Sequence, residues 1–269
     1  MSQADVAFLG SIPGLYEKNL VPMLFAPYAR DLCDRIAAIR PRRILEIAAG
    51  TGAVTRMLRQ RAPNATITAT DLNPAMLEIG KRLGGEGVDW RQADAADLPF
   101  PDQSFDLVLC QFGAMFFPDK LKAYGEARRV LAPGGAFVFN VWDSLQQNDL
   151  ARDAMAAVVE LYPSDPPTFV ARTPHGYFDV SKITGELAAA GFNDVAVEGV
   201  RLPSVATARQ AAEGFCEGTP MRAEIEARKQ PPLDEVTRHA TEALEKRYGA
   251  GEISADMHAF VFTARAEPR

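Results

Sequence analysis

Three acidic side chains, Glu46, Asp71 and Asp94, each close a short run rich in β-forming residues. Behind Glu46 comes Ile47-Ala48-Ala49-Gly50-Thr51-Gly52, with small residues at 48, 50 and 52. Small side chains there let a ligand approach the backbone closely. A helix starting after Gly52 aims its free N–H groups at whatever sits in that turn. Gly-rich turns of this kind serve many nucleotides, and a tight strand–helix turn with no ligand gives the same pattern. Asp71 narrows the choice, because a carboxylate about 20 residues beyond the turn can accept both hydroxyls of a ribose. Asn73-Pro74 behind it supplies the N-cap and first position of the next helix, so Asp71 is not needed as a cap. Asp94 can accept from an exocyclic adenine amine, and the neighbouring Ala95 amide can donate to a ring nitrogen. Gln111 closes a fourth run beside them. The chemistry these residues suit is the binding of one adenine nucleoside.

The elements that must hold them follow from the periodicity. Residues 43–47, 65–70, 88–93, 105–110 and 136–142 read as strands, and helical patterns lie between them. Val54, Met57 and Leu58 give one helix its apolar face, Met76, Ile79 and Leu83 a second, and Leu121, Tyr124 and Leu131 a third, with Pro133-Gly134-Gly135 as its stop. Strand–helix alternation makes an α/β, doubly wound, Rossmann-like open sheet, whose ligands sit beyond the carboxyl ends of its strands. Residues 144–161 and 179–190 read as helices, with Gly191 ending the second. Residues 194–202 and 257–264 read as two further strands, seven in all, and the last alternates Met257, Ala259, Val261 against His258, Phe260, Phe262. Roughly 45 residues separate these two, far more than a hairpin needs. The expected organisation is an N-terminal helical cap over 1–40, a core over 41–205, a helical insertion acting as a lid over 206–250, and the last core strand over 251–269. Phe25, Tyr28, Phe215 and Met221 are the apolar residues expected to face an acceptor from the cap and lid.

Composition sets bounds. The chain has 269 residues, 47% of them hydrophobic, and a net charge of −6, so nothing favours a polyanionic partner such as nucleic acid. Cys33, Cys110 and Cys216 are far apart and form neither a CxxC pair nor a zinc spacing. No metal is expected, and a reducing cytoplasm suits them. No run approaches the ~18 apolar residues of a membrane span, and the N-terminus lacks the basic and apolar regions of a signal peptide.

LEIAAGTG (45–52), TDLNPAML (70–77), ADAADLPFPDQSFDLVLCQ (93–111) and EARRVLAPGGAF (126–137) together resemble the class I S-adenosylmethionine-dependent methyltransferases. The nearest group is the ubiquinone/menaquinone-biosynthesis-like small-molecule enzymes. The resemblance covers about residues 43–143 closely and the last strand loosely, and it implies that this strand is antiparallel to its neighbours. It also implies that Glu46, Ala48, Gly50 and Gly52 surround the methionine part of S-adenosylmethionine, and of its product S-adenosylhomocysteine. Asp71 and Leu72 would hold the ribose, Met76 would lie near the adenine, Asp94 and Ala95 would read the adenine edge, and Gln111 would sit near the sulfonium. One departure stands out: the family's first glycine is Ala48 here.

The expected activity is in-line transfer of a methyl group to a small-molecule acceptor, a reaction that draws its rate from positioning in a dry pocket. Two alternatives remain open at this point, a non-catalytic S-adenosylmethionine-binding module and an NAD-dependent oxidoreductase. Ala48, Gly50 and Ala53 followed by Asp71 form a degenerate dinucleotide fingerprint. Against the latter, Glu46 would repel a pyrophosphate and no second mononucleotide half follows the fifth strand. No residue is an obvious catalyst. His175 in a loop, and Tyr16 and Tyr28 in the cap, are the candidates for a base or a pocket wall, each with a plain packing or capping reading beside it.

Overall fold

The computed structural model describes residues 3–267. Seven strands form one sheet: β1 (Arg43–Glu46), β2 (Thr66–Asp71), β3 (Val88–Gln92), β4 (Phe105–Gln111), β5 (Leu131–Trp142), β6 (Asp194–Thr207) and β7 (Glu252–Arg265). Their spatial order is β3-β2-β1-β4-β5-β7-β6. The first five are parallel, and β7 runs antiparallel to β5 from Ala136↔Arg265 to Trp142↔Ala259. Parallel neighbours need a crossover, supplied by α3 (Ala53–Arg61), α4 (Pro74–Gly84) and α5 (Lys120–Val130). Asn73 caps α4 by accepting the Ala75 N–H, and Asp119 caps α5 by accepting that of Lys122. The remaining α-helices among the described residues are α1 (Ile12–Leu15), α2 (Ala26–Ile39), α6 (Asp149–Glu160), α7 (Phe169–Arg172), α8 (Val180–Ala189), α9 (Ala208–Glu217), α10 (Met221–Arg228) and α11 (Leu233–Tyr248), and a π-helix, Tyr16–Phe25, joins α1 to α2. Among the described residues no helix is long and apolar enough to cross a membrane.

The chain divides into two compact units. One holds Tyr28–Trp142, Phe178–Val200 and Ala259–Arg269, and it contains the strand ends of interest. On one face of its sheet, Leu32, Cys33 and Ile36 of α2 and Val54 and Leu58 of α3 close over Ile44, Ile67, Leu107 and Val138. On the other, Phe137, Phe139 and Phe262 stack at 4.7 and 4.9 Å, with Tyr124 of α5 tilted against the first two. The second unit gathers the N-terminal residues to Pro27, Asp143–Tyr177 and Arg201–His258. Within it Arg172 pairs with the buried Asp5 and with Glu224, and a capping box of Thr207 and Gln210 starts α9. The cap expected over 1–40 thus divides at Pro27, and the 144–177 segment groups with the α9–α11 helices. Phe215 and Met221 are interior side chains, 4% and 0% exposed.

Three local expectations are corrected. Leu83 and Leu121 are 46% and 50% exposed. The buried faces are instead Met76, Leu77, Ile79 and Gly80 on α4, and Ala123, Tyr124, Ala127 and Val130 on α5. Leu131 belongs to β5 rather than to α5, so Pro133-Gly134-Gly135 lies inside a strand that begins five residues early. A register shift between Phe105 and Leu107 absorbs these residues, and an irregular ladder is where a strand tolerates proline and glycine. β6 runs on to Thr207.

Gly80 shows how tightly the first unit is fitted. An alanine in a helix interior normally stabilises by about 1 kcal/mol over glycine. A methyl on Gly80 would stand 2.6 Å from the Trp90 ring and 3.3 Å from the Thr51 carbonyl, so here the sign should invert. Gly80→Ala is expected to lower the thermal midpoint in the native sequence and to be neutral or stabilising in a Trp90→Leu background. Equal effects of Gly80→Ala in both backgrounds would show that the indole does not impose this glycine.

Candidate cofactor site

The turn from β1 into α3 is built from left-handed backbone. Ala48, Gly50 and Gly52 have φ of 52°, 57° and 82°. The Ala49 N–H donates to the Thr70 carbonyl (2.8 Å) and the Ile47 N–H to the Leu109 carbonyl (2.9 Å), which ties the turn to the strands on both sides. Gly52 must lack a side chain, since a methyl there would meet the Trp90 ring at 2.5 Å. Ala48 is the informative case. A left-handed alanine costs about 1–2 kcal/mol, yet its methyl has a place, because Gly113 leaves the facing space empty. A methyl on Gly113 would stand 2.5 Å from the Ala48 Cβ and 2.7 Å from the Cys110 Sγ. The departure at the family's first glycine is matched by a glycine elsewhere.

Two carboxylates flank this turn. Glu46 is buried, accepts the Thr55 hydroxyl at one oxygen, and offers its backbone carbonyl to the Thr70 hydroxyl. Desolvation pushes its carboxyl up from 4.5 to about 8, opposed by Thr55 and Arg56. Asp71 is half-buried. One of its oxygens accepts the Gly50 N–H and the other the Asn73 N–H, both at 2.8 Å. Burial raises its pKa, while the backbone N–H groups of Asn73, Gly50 and Leu72 lower it. A carboxylate offers about four acceptor positions, more than these N–H groups use. Leu72 behind it is 52% exposed, and Met76 is buried in the first turn of α4.

Beyond β3, Asp94 and Ala95 form a tight turn. The Asp94 carboxylate accepts the Ala96 N–H (2.8 Å) and its carbonyl the Asp97 N–H (3.0 Å). Gln111 ends β4 in register with Asn140 of β5. Phe112 follows with φ of 51°, a strained value for a bulky residue. Its N–H donates to the Asn140 side chain (2.9 Å), and its ring stacks on Trp142 at 3.7 Å. Sequence reasoning missed Phe112, since nothing in residue type signals a left-handed phenylalanine. Thr51, inside the Gly-rich turn, carries a buried hydroxyl with no hydrogen-bond partner among the described residues. The turn, the acids at the ends of β1 and β2, the Asp94–Ala95 turn and Gln111 thus lie at the carboxyl ends of adjacent strands in one unit.

Tyr28 is 1% exposed, edge-on to Phe112 and Trp142 at 5.3 and 5.0 Å, and its hydroxyl donates to the Val200 carbonyl. Tyr16, in the second unit, stacks on Phe25 at 4.9 Å. His175 is buried in that unit with Nδ1 2.8 Å from the Asp143 carbonyl, which fixes Nδ1 as the protonated nitrogen. Desolvation holds its pKa down at about 4, so it is neutral and weakly basic at pH 7. Asp143 also binds His258 Nδ1 at 2.7 Å through its carboxylate. His239 pairs with Glu160. No cluster of potential metal ligands occurs among the described residues.

A parallel sheet with an antiparallel last strand, a glycine-bearing turn after β1 and an acid at the end of β2 define a Rossmann-like methyltransferase. Residues 45–139 match the methyltransferase domain family. The chain is 36% identical to a demethylmenaquinone methyltransferase of Thermus thermophilus over 191 residues, covering 70% of this chain and 80% of that one. It is 41% identical to the enzyme of that name from Deinococcus radiodurans over 114 residues, 41% of this chain and 47% of the relative. In fold it resembles phosphoethanolamine N-methyltransferase 2 of Haemonchus contortus, solved in complex with S-adenosyl-L-methionine. There the TM-score is 0.63 at 19% identity, with all of this chain and 60% of that one covered. The chain belongs to the class I S-adenosylmethionine-dependent methyltransferases, in the ubiquinone/menaquinone-biosynthesis-like group. It is a small-molecule methyltransferase with S-adenosylmethionine as its cofactor.

Glu46 makes a pH prediction for the free protein. Its folded value of about 8 lies above the ordinary 4.5, so between these limits the native state holds more protons than the unfolded one. The stabilising contribution of the neutral carboxyl is complete below about pH 4.5 and is lost as pH rises through about 8. In the absence of cofactor, Glu46→Gln should remove a decline in stability on the order of a few kcal/mol across that window, measured by urea unfolding at several pH values. Parallel profiles for the two proteins would mean that Glu46 ionises normally in the native state.

Proposed function

We propose that this methyltransferase holds S-adenosylmethionine across the carboxyl ends of β1 to β4 and transfers its methyl group to an electron-rich ring of the quinol type. The observation that carries the cofactor placement is the Asp71 carboxylate, fixed by the Gly50 and Asn73 N–H groups with acceptor positions to spare. In this reading Asp71 takes both ribose hydroxyls, and exposed Leu72 and buried Met76 flank the nucleoside. Asp94 and Ala95 read the adenine edge. The Ala48–Gly52 turn and the buried Glu46 take the methionine part, where the Thr51 hydroxyl supplies a further polar partner. Gln111 stands at the sulfonium end. When bound, S-adenosylmethionine supplies an electrophilic methyl whose sulfonium leaves as a neutral thioether.

The acceptor class rests on the named activity of the Thermus and Deinococcus relatives. A ring carbon activated by its own oxygen substituents asks the protein for orientation and dryness more than for a strong base. That fits a chain whose buried His175 is held near pKa 4. The net charge of −6 gives no support for a nucleic-acid acceptor, and the three free, buried cysteines fit a reducing cytoplasm.

Calorimetry with S-adenosylhomocysteine and with NAD tests the cofactor reading. The expected result is binding of the first and none of the second, and tight NAD binding alone would overturn it. Asp71→Ala removes two charge-assisted hydrogen bonds worth about 1.5–3 kcal/mol each, so affinity for S-adenosylhomocysteine should fall on the order of a hundredfold. Because Asp71 also anchors Gly50, Asp71→Asn, which keeps one acceptor oxygen, should fall less. An unchanged dissociation constant in both variants would assign Asp71 to the turn alone.

A further inference from the structure

No step of the reaction uses Glu126 and Arg129 of the motif at residues 126–137. Their spacing is that of an ordinary surface pair on a helix, worth a few tenths of a kcal/mol. The structure gives them more to do. Arg129 forks onto Glu126, with Nε to Oε1 and Nη2 to Oε2 both at 2.7 Å. Its other donors leave α5 altogether: Nη2 binds the Leu98 carbonyl (2.9 Å), and Nη1 binds the Phe100 carbonyl (2.7 Å) and the Asp102 carboxylate (2.9 Å). All five guanidinium N–H groups therefore have acceptors. From the same pair, Glu126 Oε2 accepts the Leu98 N–H (2.8 Å) and the Arg129 carbonyl accepts the Gln103 N–H (3.0 Å).

All these bonds land on residues 98–103, directly behind the Asp94–Ala95 turn. That turn is closed by the Asp97 N–H on the Asp94 carbonyl, and Leu98 is the next residue. β3 fixes the front of the turn, and the Glu126–Arg129 pair fixes its back. The segment belongs to no strand: besides the α5 groups, it is held by the Phe100 ring against Phe105 (5.1 Å) and under the Arg91 guanidinium (5.4 Å), and by the Ser104 hydroxyl on the Pro101 carbonyl. The Asp102 contact is largely in water and contributes little. The bonds to the Leu98 and Phe100 main chain hold the backbone.

We infer that Glu126 and Arg129 are positioning residues for adenine selection: they hold the 98–103 backbone so that the Asp94 carboxylate and Ala95 amide keep the spacing of an adenine edge. This rests on the cofactor placement proposed above. A rigid donor–acceptor pair rejects a base whose pattern is reversed, because polar groups of the site are then left unmatched. A loosened turn would accept either base weakly.

The test compares S-adenosylhomocysteine with S-inosylhomocysteine, in which a ring carbonyl replaces the exocyclic amine. Native protein should prefer the adenine ligand about tenfold or more by calorimetry. In Arg129→Ala that preference should collapse towards unity, because affinity for S-adenosylhomocysteine falls about tenfold while that for S-inosylhomocysteine changes little. Arg129→Lys keeps the charge and the partnership with Glu126 but cannot span both carbonyls, so it should lose most of the preference with little change in thermal midpoint, and it decides the matter if the alanine variant does not fold. Amide exchange should quicken at Leu98 and Gln103 in either variant. If both ligands weaken equally, or the preference survives in the lysine variant, the pair only stabilises the fold and the inference falls. A native protein that binds S-adenosylhomocysteine without preference removes the adenine role of Asp94 and Ala95. One that does not bind it at all removes the cofactor reading itself.

Discussion

The turn between β1 and α3 depends on a backbone that L-amino acids resist. Residues 48, 50 and 52 all stand at positive φ, and this geometry brings bare main chain to the ends of the central strands. Two of these positions make a demand elsewhere. Gly52 has its missing side chain filled by the Trp90 ring, which also fills the space above Gly80 on α4. Ala48 keeps a methyl at about 1–2 kcal/mol of backbone cost, and Gly113 accommodates it. The residue after β4 is thus constrained by a residue after β1, far away in sequence and adjacent across the sheet. A change at any of these positions is felt by the others before it is felt by a ligand.

Charge is fitted to the same turn. Burial raises the pKa of both Glu46 and Asp71, and the nearby Asp71 carboxylate pushes Glu46 further towards its neutral form. Nearby donors answer this: the Gly50 and Asn73 N–H groups donate to Asp71, and the Thr55 hydroxyl donates to Glu46. In the proposed cofactor placement Asp71 serves structure and binding at once. Its hydrogen bond to Gly50 fixes the turn, and its remaining lone pairs keep the hydrogen-bonding capacity that a diol needs.

The strands, their parallel order and the acids at their ends were legible because they rest on local patterns: apolar runs of strand length, small residues between them, and Asn73-Pro74 opening α4. What was not legible is non-local. Leu83 and Leu121 sit at helical spacing from buried neighbours yet face outward, since the faces of α4 and α5 are chosen by what the sheet offers and not by the period alone. Pro133-Gly134-Gly135 looks like a helix stop in isolation, but the bulged ladder to β4 draws it into β5. Trp90 carries no mark of its role, which exists only because Gly52 and Gly80 converge beneath its ring. Glu126 and Arg129 read as a pair on one helix turn, whereas their partners are main-chain groups some thirty residues earlier.

His175 shows why the reactive residue is the hardest to read from sequence. A histidine between Pro174 and Gly176 suggests an accessible loop base. The fold instead buries the ring and commits Nδ1 to the Asp143 carbonyl, and desolvation takes its pKa to about 4. A base that weak removes a proton at neutral pH only from a group already acidic, and general-base catalysis is most effective when the pKa lies near the working pH. The same hydrogen bond has a structural effect that needs no titration. With Asn148 donating to the Asp143 and Ser144 carbonyls and His258 held on the Asp143 carboxylate, His175 helps to pin the segment that leaves β5. The imidazole is thus one of the groups that hold the chain's course beyond β5.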